Sequence, residues 1–248
     1  MSDGGTQDKW QVQILRLTLF TSGLWSGNET IWHDLTGREP DIDENRARES
    51  IRRQIGREGD GQLETVVTPV RTDVVMSPPL QDAFQTTYFG PAEERIPGFV
   101  SLVSSWLSRT AQTGKIIRLA FGAVLLLPVE NREAGYRELD RLLSSVTVDP
   151  ISTKELLYRI NRPKIYKGNI ELNRMTTWAS LDLRKFMGVG TSLVQPSTPI
   201  SEETFVRLEV DHNTPAERTE PLALDEIVPI FEALVEMAVE NAARGERP

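Results

Sequence analysis

Cysteine is absent from all 248 residues. That excludes a disulfide scaffold, thiolate-bound zinc or iron–sulfur centres, and a cysteine nucleophile. Histidine is nearly absent too: only His33 and His212 are present, too few for a histidine-rich metal site. Lysine is scarce, with 22 of the 28 basic residues being arginine. No Glu-x-Lys or Asp-x-Lys triplet exists, so the usual carboxylate–lysine pattern of metal-dependent nucleases is missing. Long apolar runs are lacking as well. The longest, Leu119 to Val129, is eleven residues, against the roughly 20 that a membrane-spanning helix needs. The first eight residues are polar and acidic and do not read as a signal peptide. A cytoplasmic protein without membrane contact is the expectation.

What is present is a globular composition: 39% hydrophobic residues, five tryptophans and a net charge of −8. A chain of this length buries a substantial core and fits one large α+β domain, residues 1–248, with a subdivision conceivable only at the proline-rich stretch 77–98. Alternation from Trp10 to Phe20 marks a strand, with a phase slip at Ile14/Leu15 that suggests a bulge. Asp41 to Gly56, with Ala47, Ile51 and Ile55 four apart, reads as a helix supported by Glu44–Arg48 and Glu49–Arg53 pairs. Leu63 to Met76 reads as a strand with Pro69 at a bulge or edge. Within the 77–98 loop, Phe84, Tyr88 and Phe89 are too apolar for a free linker. A helical stripe then runs from Phe99 to Leu107.

Ile116 to Leu127 is apolar on both faces apart from Arg118, as suits a central strand. Asn131 can cap a short helix carrying Tyr136, Leu139, Leu142 and Leu143. Strands are expected at Leu156–Arg162, Ile170–Trp178, Ala179–Phe186 and Phe205–His212. Met187 to Thr204 reads as a loop. Asp225 then opens an amphipathic terminal helix. The order β-α-β-α-β-α-β-β-β-β-α favours a largely antiparallel sheet of six to seven strands, helices mainly on one face, and a C-terminal amphipathic helix.

Charge is uneven. Pro150 to Gly190 holds eight basic and three acidic residues, whereas Ser201 to the end holds twelve acidic and four basic. The basic hairpin offers Tyr158, Arg159, Arg162, Lys164, Lys167, Arg174 and Trp178 as candidate binding residues, since cations interleaved with aromatics can hold a phosphate backbone and stack bases. Tyr158, Ile160 and Arg162 share one strand face and Arg159 and Asn161 the other, so the cations do not form one continuous groove. The competing reading is that these cations solvate strands or pair with the acidic terminal helix. No enzyme motif stands out. Asp211 and His212 are adjacent on a strand and point apart, and Gly188-Val-Gly190 lacks the lysine of a phosphate loop. No metal site or cofactor is expected.

Tyr158-Arg-Ile-Asn-Arg-Pro163, with the later Val206-Arg-Leu-Glu-Val-Asp211 and the closing helix, resembles an uncharacterised, sporadically distributed bacterial family of about 250 residues, often encoded near restriction and other defence genes. The resemblance lies in the C-terminal half. It implies a bacterial accessory protein within a multi-protein, antiviral-defence type of system. The expectation is therefore a non-enzymatic protein–protein interaction subunit or homo-oligomer. The alternatives are a nucleic-acid binder or metal-dependent nuclease using the basic hairpin, and a small-molecule sensor with loop 84–89 as lid.

Overall fold

A computed structural model describes residues 10–23, 31–79, 88–110, 115–186 and 199–246. The chain is α+β, with a large antiparallel sheet and, among the described residues, four helices. The strands are β1 (Gln11–Thr21), β2 (Ile42–Arg46), β3 (Ile51–Glu58), β4 (Gly61–Val67), β5 (Arg71–Ser77), β6 (Ile116–Val129), β7 (Leu157–Asn161), β8 (Lys164–Tyr166), β9 (Ile170–Phe186) and β10 (Pro199–Asn213). The helices are α1 (Ile31–Thr36), α2 (Ala92–Thr110), α3 (Arg132–Leu142) and α4 (Ile227–Arg244). Nine strands lie in the order β2-β3-β4-β5-β1-β6-β10-β9-β7, and β8 pairs with β9 off this path.

The sheet exceeds the expected six to seven strands, and three segments explain why. Asp41 to Gly56 is not a helix but the β2–β3 hairpin, turned through Ser50 at φ 53°. Its acid–base pairs run across strands: Arg52 bonds Asp43 at 2.6 Å and Arg53 bonds Glu64 of β4 at 2.6 Å. Four-residue spacing of Ala47, Ile51 and Ile55 fits a helix, but β3 lies between two pairing partners, and that tertiary context outweighs helix propensity. Leu63 to Met76 is likewise two strands, β4 and β5. Pro69, which cannot donate to a ladder, lies in their turn, closed by Thr68 N–H to the Arg71 carbonyl at 2.8 Å. In the opposite sense, Ile170 to Phe186 is one strand of 17 residues, because no turn-forming residue separates Trp178 from Ala179.

Other elements fall close to expectation. The β1–β6 register slips between Val12 and Ile14. The Asn131 side chain caps α3 by accepting from the Ala134 N–H at 3.0 Å. Asp225 does not cap α4, whose N-cap is Glu226 without a side-chain bond. Residues 199–204, expected as loop, extend β10, while 187–198 lie outside the described residues, as do Trp25 and Phe84.

Alternation divides the sheet into two faces. One carries Leu15, Leu17, Phe121, Leu125, Leu208, Val210 and Trp178, all essentially inaccessible. Helix α2 packs here against β1, α3 against β9 and β10, and α4 against β6 and β10. Small α1 also lies on this side, its Trp32 ring so close to Gly56 that a Cβ there would sit 2.7 Å from the ring. Helix α4 is apolar nearly all round because it touches both sheet and α2, so Leu234, Val235 and Met237 are buried in the chain's own core. Among the described residues, no helix lies on the other face.

Candidate functional site on the open sheet face

Residues of the basic hairpin go to three places. Arg162 and Arg174 face the helices and grip the end of α4. Arg162 donates to the Glu246 carbonyl at 3.0 Å and sits 3.7 Å from its carboxylate, while Arg174 donates to Asn241 at 2.9 Å with Glu240 at 3.9 Å. Tyr158 and Trp178 belong to the same layer. Trp178 is fully buried, edge-on to Trp10 at 6.3 Å, with its indole N–H on the Thr176 hydroxyl at 3.1 Å. Lys164 and Lys167 are exposed on β8 and its turn, Lys167 lying 5.2 Å over the Tyr166 ring. Arg159 alone reaches the open face. The charge pairing between the basic middle and the acidic terminal helix is thus realised within the chain.

The helix-side cluster is tightly closed. Glu246 has a side chain 1% exposed, and burial raises its pKa above the usual carboxylate range, opposed by a hydrogen bond from Tyr158 and the charge of Arg162. His212 is inaccessible beside it. Burial depresses its pKa to about 4, against a hydrogen bond to the Leu234 carbonyl that acts upward and the Arg174 charge that acts downward. Its Nδ1 lies 3.0 Å from that carbonyl, which identifies Nδ1 as the protonated nitrogen. A neutral imidazole sealed in this way holds α4 to β10 and has no route to a substrate. Asp211, its chain neighbour, faces the other side of the sheet, as strand alternation requires.

The face without helices is open only in part: Leu126 and Phe205 are buried on it, with Tyr88 edge-on to Phe205 at 6.4 Å. Near the edge strand β7, a groove of about 270 Å³ is lined by Arg159, Met175, Thr177, Arg207, Glu209 and Asp211. Arg207 pairs with Glu209 at 2.8 Å. Arg159 has a poorer partner, donating from Nε and Nη2 to the Met175 sulfur at 3.1 and 2.7 Å, and a thioether is a weak acceptor. Beside the groove, an amide chain crosses three strands. Asn161 donates to Asn173 at 2.8 Å, Asn173 to Asn213 at 3.0 Å, and Asn213 to Asp211 at 3.2 Å. Asn161 also accepts the Arg174 N–H at 3.0 Å. The Ile-Asn-Arg triplet is therefore a rivet through the sheet, Asn161 fixing the open face and Arg162 fixing the covered one.

Further along, strands β1 and β6 bring in residues that the hairpin reading misses. Arg16 stands opposite Gly122, which is in turn opposite Asp211. A Cβ on Gly122 would lie 3.1 to 3.4 Å from the Arg16 guanidinium, so the glycine is what lets that side chain lie flat on the sheet. Two rows on, Arg118 is opposite Phe20 and stacks on its ring at 4.5 Å. Arg71 flanks the same ring at 5.6 Å and donates to Asp73 at 2.9 Å. The sequence signal for these residues is visible: Arg118 is the lone charge of an apolar strand and Arg16 interrupts β1. No known protein family and no characterised protein matches the chain.

Proposed function

We propose that the protein is a non-enzymatic interaction protein, an accessory subunit of a bacterial multi-protein system, with the open sheet face as its contact surface. Supporting this reading is one observation: the four helices of the described residues pack on a single face of a broad sheet, and the opposite face carries arginine, methionine and aromatic side chains. Arginine, methionine and aromatics are the residue types enriched at the centres of protein interfaces. The groove beside edge strand β7, where Leu157 is 73% exposed, adds an apolar rim. The link to defence systems rests on the Ile-Asn-Arg resemblance and is carried here as part of the same proposal.

Sedimentation at high concentration tests it, alone and with proteins encoded by neighbouring genes. A defined homo-oligomer or complex is expected, and Met175→Glu in the groove should weaken it. A strict monomer that engages no partner overturns the reading.

A further inference from the structure

A guanidinium taken partly out of water needs acceptors, because a desolvated charge without partners is costly. The half-buried arginines of this protein obey that rule almost throughout. Examples are Arg53 with Glu64 at 2.6 Å, Arg174 with Asn241 at 2.9 Å and Arg207 with Glu209 at 2.8 Å. Arg16 and Arg118 do not. Each is half-buried with its Nε sealed from solvent and lacking a hydrogen-bond partner, and, unlike Arg71 and Arg95, whose Nε atoms are also sealed, neither makes an ion pair among the described residues. They share the open face, on paired strands β1 and β6. Residues 118 and 122 are four apart on β6, so the rows holding Arg118 and Arg16 are about 13 Å apart along the sheet. Between them lie the small, nearly buried Thr18 and Ala120. Of the acids on that floor, Asp73 is engaged by the Thr18 hydroxyl at 2.6 Å and by Arg71 at 2.9 Å, and Asp211, across Gly122 from Arg16, accepts from Asn213 at 3.2 Å.

Two uncompensated positive charges at the ends of a smooth floor call for an elongated anion. Guanidinium donors match phosphate oxygens, and a terminal phosphate carries about −1.5 to −2 charge where a carboxylate carries one. We propose that this face binds a phosphorylated ligand with negative charge at two separated points, one taken by Arg16 and the other by Arg118. A small polyphosphate or bisphosphate and a nucleic-acid strand both supply that chemistry. The inference deepens the reading of the open face as a contact surface and rests on it.

Calorimetric titration of the full chain at low salt with pyrophosphate, a nucleoside triphosphate and a short single-stranded oligonucleotide tests it. At least one should bind, with Arg16→Gln and Arg118→Gln each weakening affinity by about tenfold or more and Arg137→Gln, on α3 across the sheet, leaving it unchanged. Preference for the oligonucleotide, with affinity falling steeply in salt, assigns a nucleic-acid strand; equal or better binding of the small phosphates assigns a small ligand. Arg16→Gln should keep or raise the melting temperature, and Arg118→Gln, which gives up only its stacking on the Phe20 ring, should change it little. No binding by any of the three probes, binding indifferent to both substitutions, or a melting temperature lowered by both overturns the proposal. A monomer that binds phosphate through these arginines would overturn only the subunit reading; an oligomer that binds none would overturn only this one.

Discussion

Thr177 and Trp178 are chain neighbours on β9, yet they stand on two surfaces with different rules. On Trp178's side the polar groups are sealed and mostly tied to the fold: the indole bonds Thr176, Arg162 and Arg174 hold the end of α4, and His212 bonds the α4 backbone, although His212 Nε2 and one Glu246 carboxylate oxygen have no hydrogen-bond partner. On Thr177's side, within one groove and the adjoining rows, Arg159 settles for a sulfur atom and the buried Nε groups of Arg16 and Arg118 have no hydrogen-bond partner among the described residues. The difference teaches where each kind of cost is tolerated. A covered face lacking a partner loses stability with nothing in return, whereas an open face can keep unpaired donors for a ligand.

The sharpest way to break this contrast is to truncate the two neighbours. Trp178→Ala should cost about 3–5 kcal/mol in urea denaturation, as large aromatic deletions in cores do, whereas Thr177→Ala should cost less than about 0.5 kcal/mol. Comparable losses would mean that the open face is a second core.

A slightly smaller effect comes from acid. His212 has a folded pKa of about 4, below its ordinary value of 6.5, so the unfolded chain binds the proton first. Its contribution is complete above pH 6.5 and declines as pH falls toward 4, a loss of about 3 kcal/mol. Denaturation midpoints at neutral and acidic pH should converge in His212→Leu. Glu246 acts with the opposite sign, its raised pKa meaning that the fold favours the protonated form and loses that advantage as pH climbs past the ordinary carboxylate range. Glu246→Gln should therefore be at least as stable as the native chain at pH 7, checked by thermal melts across pH.

The smallest expected change in stability belongs to Gly122→Ala, under about 0.5 kcal/mol, because the atoms it would crowd are the end of a flexible side chain. It should nonetheless displace Arg16, visible as a shift of its Nε–H resonance and as weaker phosphate binding. An affinity change without a stability change would sharpen the division between the faces.

Much of the central sheet is legible in the sequence: β1 and β10 alternate, and β6 is an unbroken apolar run buried from Leu119 to Leu127. The β2–β5 wing is not. Ile51 and Ile55 satisfy period four as well as period two, and their environment, a strand on each side, is non-local information. The same limit governs the site. Strand alternation correctly sends Arg159 and Arg162 to opposite faces, but which face the helices cover depends on contacts between residues more than 60 positions apart, such as Arg162 with Glu246. Arg16 and Arg118, 102 positions apart, come to share one sheet face only through the β1–β6 register.

That register also sets the order in which the molecule can be built. β1 occupies a central place in the sheet, yet both of its partners come later in the chain, β5 after some 50 residues and β6 after about 100. During synthesis β1 is a sticky, half-finished template, first completed on one side by the local β2–β5 wing and left bare on the other until β6 emerges. Folding should therefore be slow for a chain of this size and vulnerable to mispairing in that interval. The wing, whose hairpins close locally, is the natural early scaffold, and destabilising its turns should lower the yield of native protein more than the final stability.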